Sequence, residues 1–134
     1  MNKLKGIVSK IESTEHIALI QVKVGEDYFS SVILCNSDKE DQLKIDDIVY
    51  VIFKDTEVSI GKNLSGGLSM RNRLNSKITS IEKGDVLCKL TLNYCGHTII
   101  SVITTSSTNN LNLKIGDQVE GLVKSNEVSI LKRD

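Results

Sequence analysis

Apolar and polar residues alternate with a period of two along most of this chain, in short runs rich in β-branched side chains, which is the pattern of half-buried strands. Ile7-Val8-Ser9-Lys10-Ile11, residues 17–24, residues 28–34 and residues 48–53 predict four strands, and Val58-Ser59-Ile60 predicts a short fifth. Between the third and fourth, residues 37–43 predict a short helix, with Ser37 as its cap and acidic residues in the first turn where the helix dipole favours them. Five strands with a helix between the third and fourth is the order of an OB-type Greek-key barrel.

The same pattern returns at an offset of 70 residues. Laying residues 1–64 on residues 71–134 without a gap gives nineteen identities in 64 pairs, against a chance rate of about one in sixteen. The densest matches are Leu43-Lys44-Ile45 with Leu113-Lys114-Ile115, and Glu57-Val58-Ser59-Ile60 with Glu127-Val128-Ser129-Ile130. The expected fold class is all-β: two tandem OB-like five-stranded barrels, the first over residues 1–64 and the second over residues 65–134, joined through the small-residue stretch 61–68. In the second copy the counterpart of the helix, residues 107–113, keeps its serine but is a poor helix former. A unit near 60 residues buries only about 60% of its unfolded surface, so the two units, and several chains, are expected to support one another.

Seventeen Lys and Arg cancel seventeen Asp and Glu. No overall field therefore draws the chain to nucleic acid or to an anionic membrane, and any anion site has to be local. An OB barrel that holds single-stranded nucleic acid wants a basic groove and stacking aromatics, which two Phe, three Tyr and no Trp do not supply. No apolar run is long enough to span a bilayer and the first residues lack a secretory core, so a cytoplasmic protein away from membranes is expected. Cys35, Cys88 and Cys95 have no CxxC spacing and read as buried thiols in a reducing compartment. Cys95-Gly96-His97 falls short of a zinc pattern, and His16 reads as a strand-edge residue, so no metal ligand set is expected. With neither a nucleophile–base arrangement nor paired carboxylates in the motifs, the chain reads as a non-enzyme.

One tetrapeptide, Ser69-Met70-Arg71-Asn72, breaks the symmetry of the repeat: Asn72 has a partner in Asn2, while Ser69 and Arg71 have none. With Arg73-Leu74-Asn75 after it, this segment resembles the opening Ser-Ala-Arg-Asn-Gln-Leu of the tandem molybdate-binding proteins of the Mop/TOBE class, the di-domain molbindins. The resemblance covers both repeats. It implies OB-like barrels whose chains trade strands, and molybdate or tungstate held at subunit interfaces without an organic cofactor. The opening motif falls on Ser69, Met70, Arg71 and Asn72, with Met70 in place of the usual alanine; the hydroxyls after the third strand fall on Thr104 and Ser107; the closing lysine turn falls on Lys124 and Ser125. The first copy keeps Ser37, Lys54 and Thr56 as candidate contributors, but has Leu34 where Thr104 offers a hydroxyl and Asp55 where Ser125 stands. Fewer anions per chain are expected than a symmetric tandem protein would hold.

This residue set suits a tetrahedral dianion, which wants donors on several sides. Arg71 supplies a planar fork, Lys124 a point charge, and Ser69, Thr104, Ser107 and Ser125 supply hydroxyls beside main-chain N–H groups. The resemblance implies storage or homeostasis of the oxyanion by a homo-oligomer, a trimer ahead of a dimer. The alternative is a ligand-free TOBE-type assembly or regulatory module that acts through a protein partner.

Overall fold

The computed structural model describes residues 1–34 and 43–133. Ten strands form two five-stranded antiparallel sheets: β1 (Asn2–Ser13), β2 (Ile17–Val24), β3 (Asp27–Leu34), β4 (Ile48–Phe53) and β5 (Ser59–Gly61), then β6 (Asn72–Lys83), β7 (Leu87–Tyr94), β8 (His97–Thr104), β9 (Gln118–Val123) and β10 (Ser129–Lys132). The two tandem OB-like barrels expected from the alternation are present. A short helix, α1 (Thr105–Asn110), follows β8 despite its poor helix formers, because Thr104 caps it by accepting from the Ser107 N–H. The helix expected over residues 37–43 falls mostly outside the described residues.

The barrels trade their last strands. The first sheet runs β10-β4-β1-β2-β3 and the second β5-β9-β6-β7-β8, so β5 completes the sheet of the second half and β10 that of the first. The ladders thus cross the repeat boundary between residues 64 and 65. Each first strand is long because it serves two neighbours. β1 pairs with β4 through Asn2 to Ile7 and with β2 from Ile7 onward, with a register shift between Val8 and Lys10; β6 repeats this, shifting between Ile78 and Ser80. At the shift Val8 turns its main chain to the following turn, exchanging bonds with Asp46 and Asp47 (2.8 and 3.0 Å), and Ile78 does the same with Gly116 and Asp117. Such bulges bend a strand so that one strand can line both sides of a barrel.

The halves are locked by side chains that imitate backbone. β3 and β8 are edge strands, and an edge leaves N–H and C=O groups without ladder partners. Asn72 fills that gap on β3: its Oδ1 accepts from Ser30 N at 2.6 Å and its Nδ2 donates to Ser30 O at 2.9 Å. Asn2 does the same to Ile100 on β8, at 2.8 and 2.9 Å. Ser31 donates to Val128 O and Ser101 to Val58 O, tying each edge to the segment that leads into the exchanged strand. Between the halves Tyr94 packs edge-on to Phe29, which stacks on Phe53, and its hydroxyl reaches Asp27. Burial, with Asp27 beside it, raises the Tyr94 pKa above the usual tyrosine value.

Two predictions follow from this architecture. Asn72→Ala or Asn2→Ala strips partners from one main-chain N–H and one C=O, and each orphaned group costs about 1–3 kcal/mol; urea denaturation is expected to show a loss of roughly 2–6 kcal/mol in either variant. Asp46 sits at φ 74 where the second half has Gly116 at φ 96. The left-handed strain of about 1–2 kcal/mol, less glycine's extra chain entropy, leaves Asp46→Gly more stable by roughly 0.5–1 kcal/mol, to be read as a raised midpoint in the same experiment.

Candidate functional site

The ladder between β6 and β9 brings the opening motif and the lysine turn together. Its last pair is Asn72 with Val123. One step beyond, the antiparallel register sets Arg71 opposite Lys124, with Ser69 and Met70 leading into one strand and Ser125 leading out of the other. Arg71, Lys124 and Ser69 are exposed, Met70 and Ser125 half-buried. Ser125 opens a one-turn 3-10 helix, Ser125–Glu127, closed by Glu127 N to Lys124 O at 2.9 Å. Among the described residues neither Arg71 nor Lys124 is in an ion pair, whereas the neighbouring Arg73 is committed to Glu120 through two bonds of 3.0 and 2.7 Å. Two cations thus stand side by side at the strand ends with no carboxylate assigned to them.

Asn72 plays another part here. Its side chain is 1% exposed and turned to Ser30, so it fixes the first half against this corner. β3 of the first half thereby becomes a wall of the site, a contribution that the motif reading missed. A signal for it did exist, since Asn2/Asn72, Ser31/Ser101 and Val58/Val128 are all identities of the repeat and all lie on contacts between the halves.

Thr104 and Ser107 are not part of this group within one chain. Their hydroxyls bond one another at 2.9 Å at the start of α1. Thr104 lies opposite Leu87, near the far end of β6 from Arg71. Ser107, with Ser59, Ile60 and Ile103, borders an open groove beside the exchanged β5. In the first half, Lys54 and Thr56 are exposed around a matching 3-10 turn, Asp55–Glu57, while Ser37 lies outside the described residues.

The stretch 61–68 is held at its start. Gly61 belongs to β5, and Lys62 Nζ donates to Leu111 O, Asn112 O and Asp117 Oδ2 at 3.1–3.2 Å, capping the end of α1. The Asp117 carboxyl is held below the usual carboxylate range, chiefly by the Lys114 N–H and then by Lys62. Cys88 is buried as expected, but Cys95 is exposed, because the β7–β8 turn places it at φ 49 on the tip; Cys35 is outside the described residues. His16 is exposed in the turn between β1 and β2. Among the described residues no cluster of three His, Cys, Asp or Glu is placed to hold a metal ion, and no helix is long and apolar enough to cross a membrane.

Comparison with known proteins places these features in context. The TOBE domain family matches residues 68–130. Molybdenum-pterin-binding protein 2 of Clostridium pasteurianum is 35% identical over 65 residues, which is 48% of this chain and 96% of that protein. Molybdenum-pterin-binding protein 1 of the same organism is 32% identical over 65 residues, with the same coverage. Among solved structures, the cytoplasmic molybdate-binding protein ModG with molybdate bound superposes with a TM-score of 0.92 at 28% identity, over 98% of this chain and 96% of that one.

The Lys62 anchor makes a pH prediction. A carboxyl with a lowered folded pKa contributes stability above its unfolded value, about 3.9, and loses it as pH falls through the folded value. Protection of the amides around residues 61–64, relative to their intrinsic exchange rates, is therefore expected to fall on acidification below about pH 4, and Lys62→Ala is expected to show the lower protection already at neutral pH.

Proposed function

We propose that this chain, which belongs to the TOBE family, is a molybdate-binding protein whose second half holds the oxyanion at the Arg71–Lys124 corner. The observation that carries this reading is the pair of cations, outside any ion pair among the described residues, one step beyond the last β6–β9 pair and beside Ser69 and Ser125. Arg71 offers a fork of N–H donors, Lys124 a mobile ammonium, and the turns around Met70 and Ser125 add main-chain N–H groups. Each charge-assisted hydrogen bond contributes about 1.5–3 kcal/mol, so a few of them support micromolar or tighter binding. Tungstate has the same charge and shape and is proposed to bind as well. The molybdate of ModG points to this ligand, and the names of the clostridial relatives point more broadly to a molybdenum compound. Reversible binding by hydrogen-bond donors fits storage or homeostasis in the cytoplasm.

We also propose a homo-oligomer, with a trimer as the arrangement that two similar barrels per chain close most simply and a dimer as the alternative. The outer face of the first barrel supports this. Ile17 opposite Leu34 and Leu19 opposite Val32 are exposed apolar pairs, where the second barrel has Leu87 opposite Thr104 and Lys89 opposite Val102. In an oligomer Thr104 and Ser107 of one chain would be free to complete the Arg71 corner of another.

Titration calorimetry of the anion-stripped protein with molybdate, with sulfate as control and native mass on the same sample, tests both proposals. Molybdate is expected to bind at micromolar or tighter affinity and sulfate weakly. Arg71→Ala is expected to weaken binding by about 10–100-fold, the loss of one charge-assisted bond, with native mass and unfolding midpoint unchanged. No heat with molybdate or tungstate would favour the ligand-free assembly module instead.

A further inference from the structure

We propose that the first half closes its own copy of the anion corner with the carboxylate of Asp55, so that only one of two geometrically equivalent corners is open. The proposal rests on the reading of the Arg71–Lys124 corner given above. The two corners share one scaffold. Asn2 pairs with Phe53 as Asn72 pairs with Val123. Asn2 clamps Ile100 as Asn72 clamps Ser30. Lys54 begins a 3-10 turn closed by Glu57 N to Lys54 O at 3.0 Å, as Lys124 begins one closed at 2.9 Å. By the same register Met1 stands where Arg71 stands, and Asp55 where Ser125 stands.

What differs is the occupant. Asp55 Oδ1 is buried and forms an ion pair of 2.9 Å with the Met1 ammonium. The contact is electrostatic, without the alignment of a hydrogen bond. A carboxylate and a molybdate are both oxygen-bearing anions that want the same donors, and two anions in one corner repel. The Met1 ammonium balances this carboxylate, and Lys54 is exposed and outside any ion pair among the described residues. Asp55 is thus a residue that sets the number of anions per chain.

The test is calorimetric stoichiometry with molybdate on the full chain, comparing the native sequence with Asp55→Ser, which installs the second half's residue, and Asp55→Asn, which removes the charge at nearly constant shape. Both variants are expected to take up one more anion per chain than the native protein. The added site is expected to be weaker than the first, because Met1 brings no guanidinium. Combining Arg71→Ala with Asp55→Ser should weaken the first site and leave the added one. An unchanged stoichiometry in both variants, with native binding intact, overturns the role of Asp55 and leaves the functional reading standing. Absence of molybdate binding in the native protein and in both variants overturns the functional reading and the inference together.

Discussion

Everything in this molecule depends on how two edge strands satisfy their main-chain polar groups. β3 and β8 each have a ladder partner on one side only, and at the junction of the halves their free N–H and C=O groups are turned inward. A carboxamide carries one acceptor and one donor in a plane, the same complement as a peptide, so Asn72 and Asn2 continue the ladder where no strand does. Because each asparagine starts the long first strand of the opposite half, closing either barrel requires the other half to be in place. The exchange of β5 and β10 enforces the same dependence through main-chain pairing. Neither half is complete alone, in keeping with how little surface a unit of about 60 residues buries by itself.

That dependence also creates the candidate site. The residues that begin β6 and end β9 reach a corner between halves because Asn72 pins β6 against β3. With the scaffold fixed in duplicate, side chains at equivalent positions were free to diverge. The outer face between the first and fourth strands of each half carries Arg73 paired with Glu120 in one half and Lys3 over the Tyr50 ring, 4.1 Å from its centre, in the other. The strand-end corner carries Arg71 and Ser125 in one half and Met1 and Asp55 in the other. The outer face between second and third strands is apolar in the first half and mixed in the second. Repetition supplies the frame, and the departures from it give the two halves different surface chemistry.

The alternation made ten strands legible, since period-two burial follows directly from the pleat. It missed the start of β1, where inward positions are Asn2, Leu4, Gly6 and Val8. Asn2 is inward for its clamp, and Gly6 because a Cβ there would come within 2.6 Å of Lys23 O, so neither is apolar and the run does not look like a strand. The motif residues Arg71 and Lys124 were legible as a pair through the family pattern. Thr104 and Ser107 were grouped with them, yet within one chain they lie apart, because a motif spacing carries no information about which end of a strand a loop occupies.

The sequence by itself determined the repeat, the strand order and the cations of the candidate corner, because periodicity and local chemistry are properties of neighbouring residues. Only the tertiary structure decided which half each fifth strand joins. Val58-Ser59-Ile60 and Val128-Ser129-Ile130 are the same three residues, so this shared segment does not show which barrel either strand joins. The choice lies in the path of the chain through the 3-10 turns at Asp55–Glu57 and Ser125–Glu127, which carry each strand across to the other half, and in the serine and asparagine bonds that hold it there.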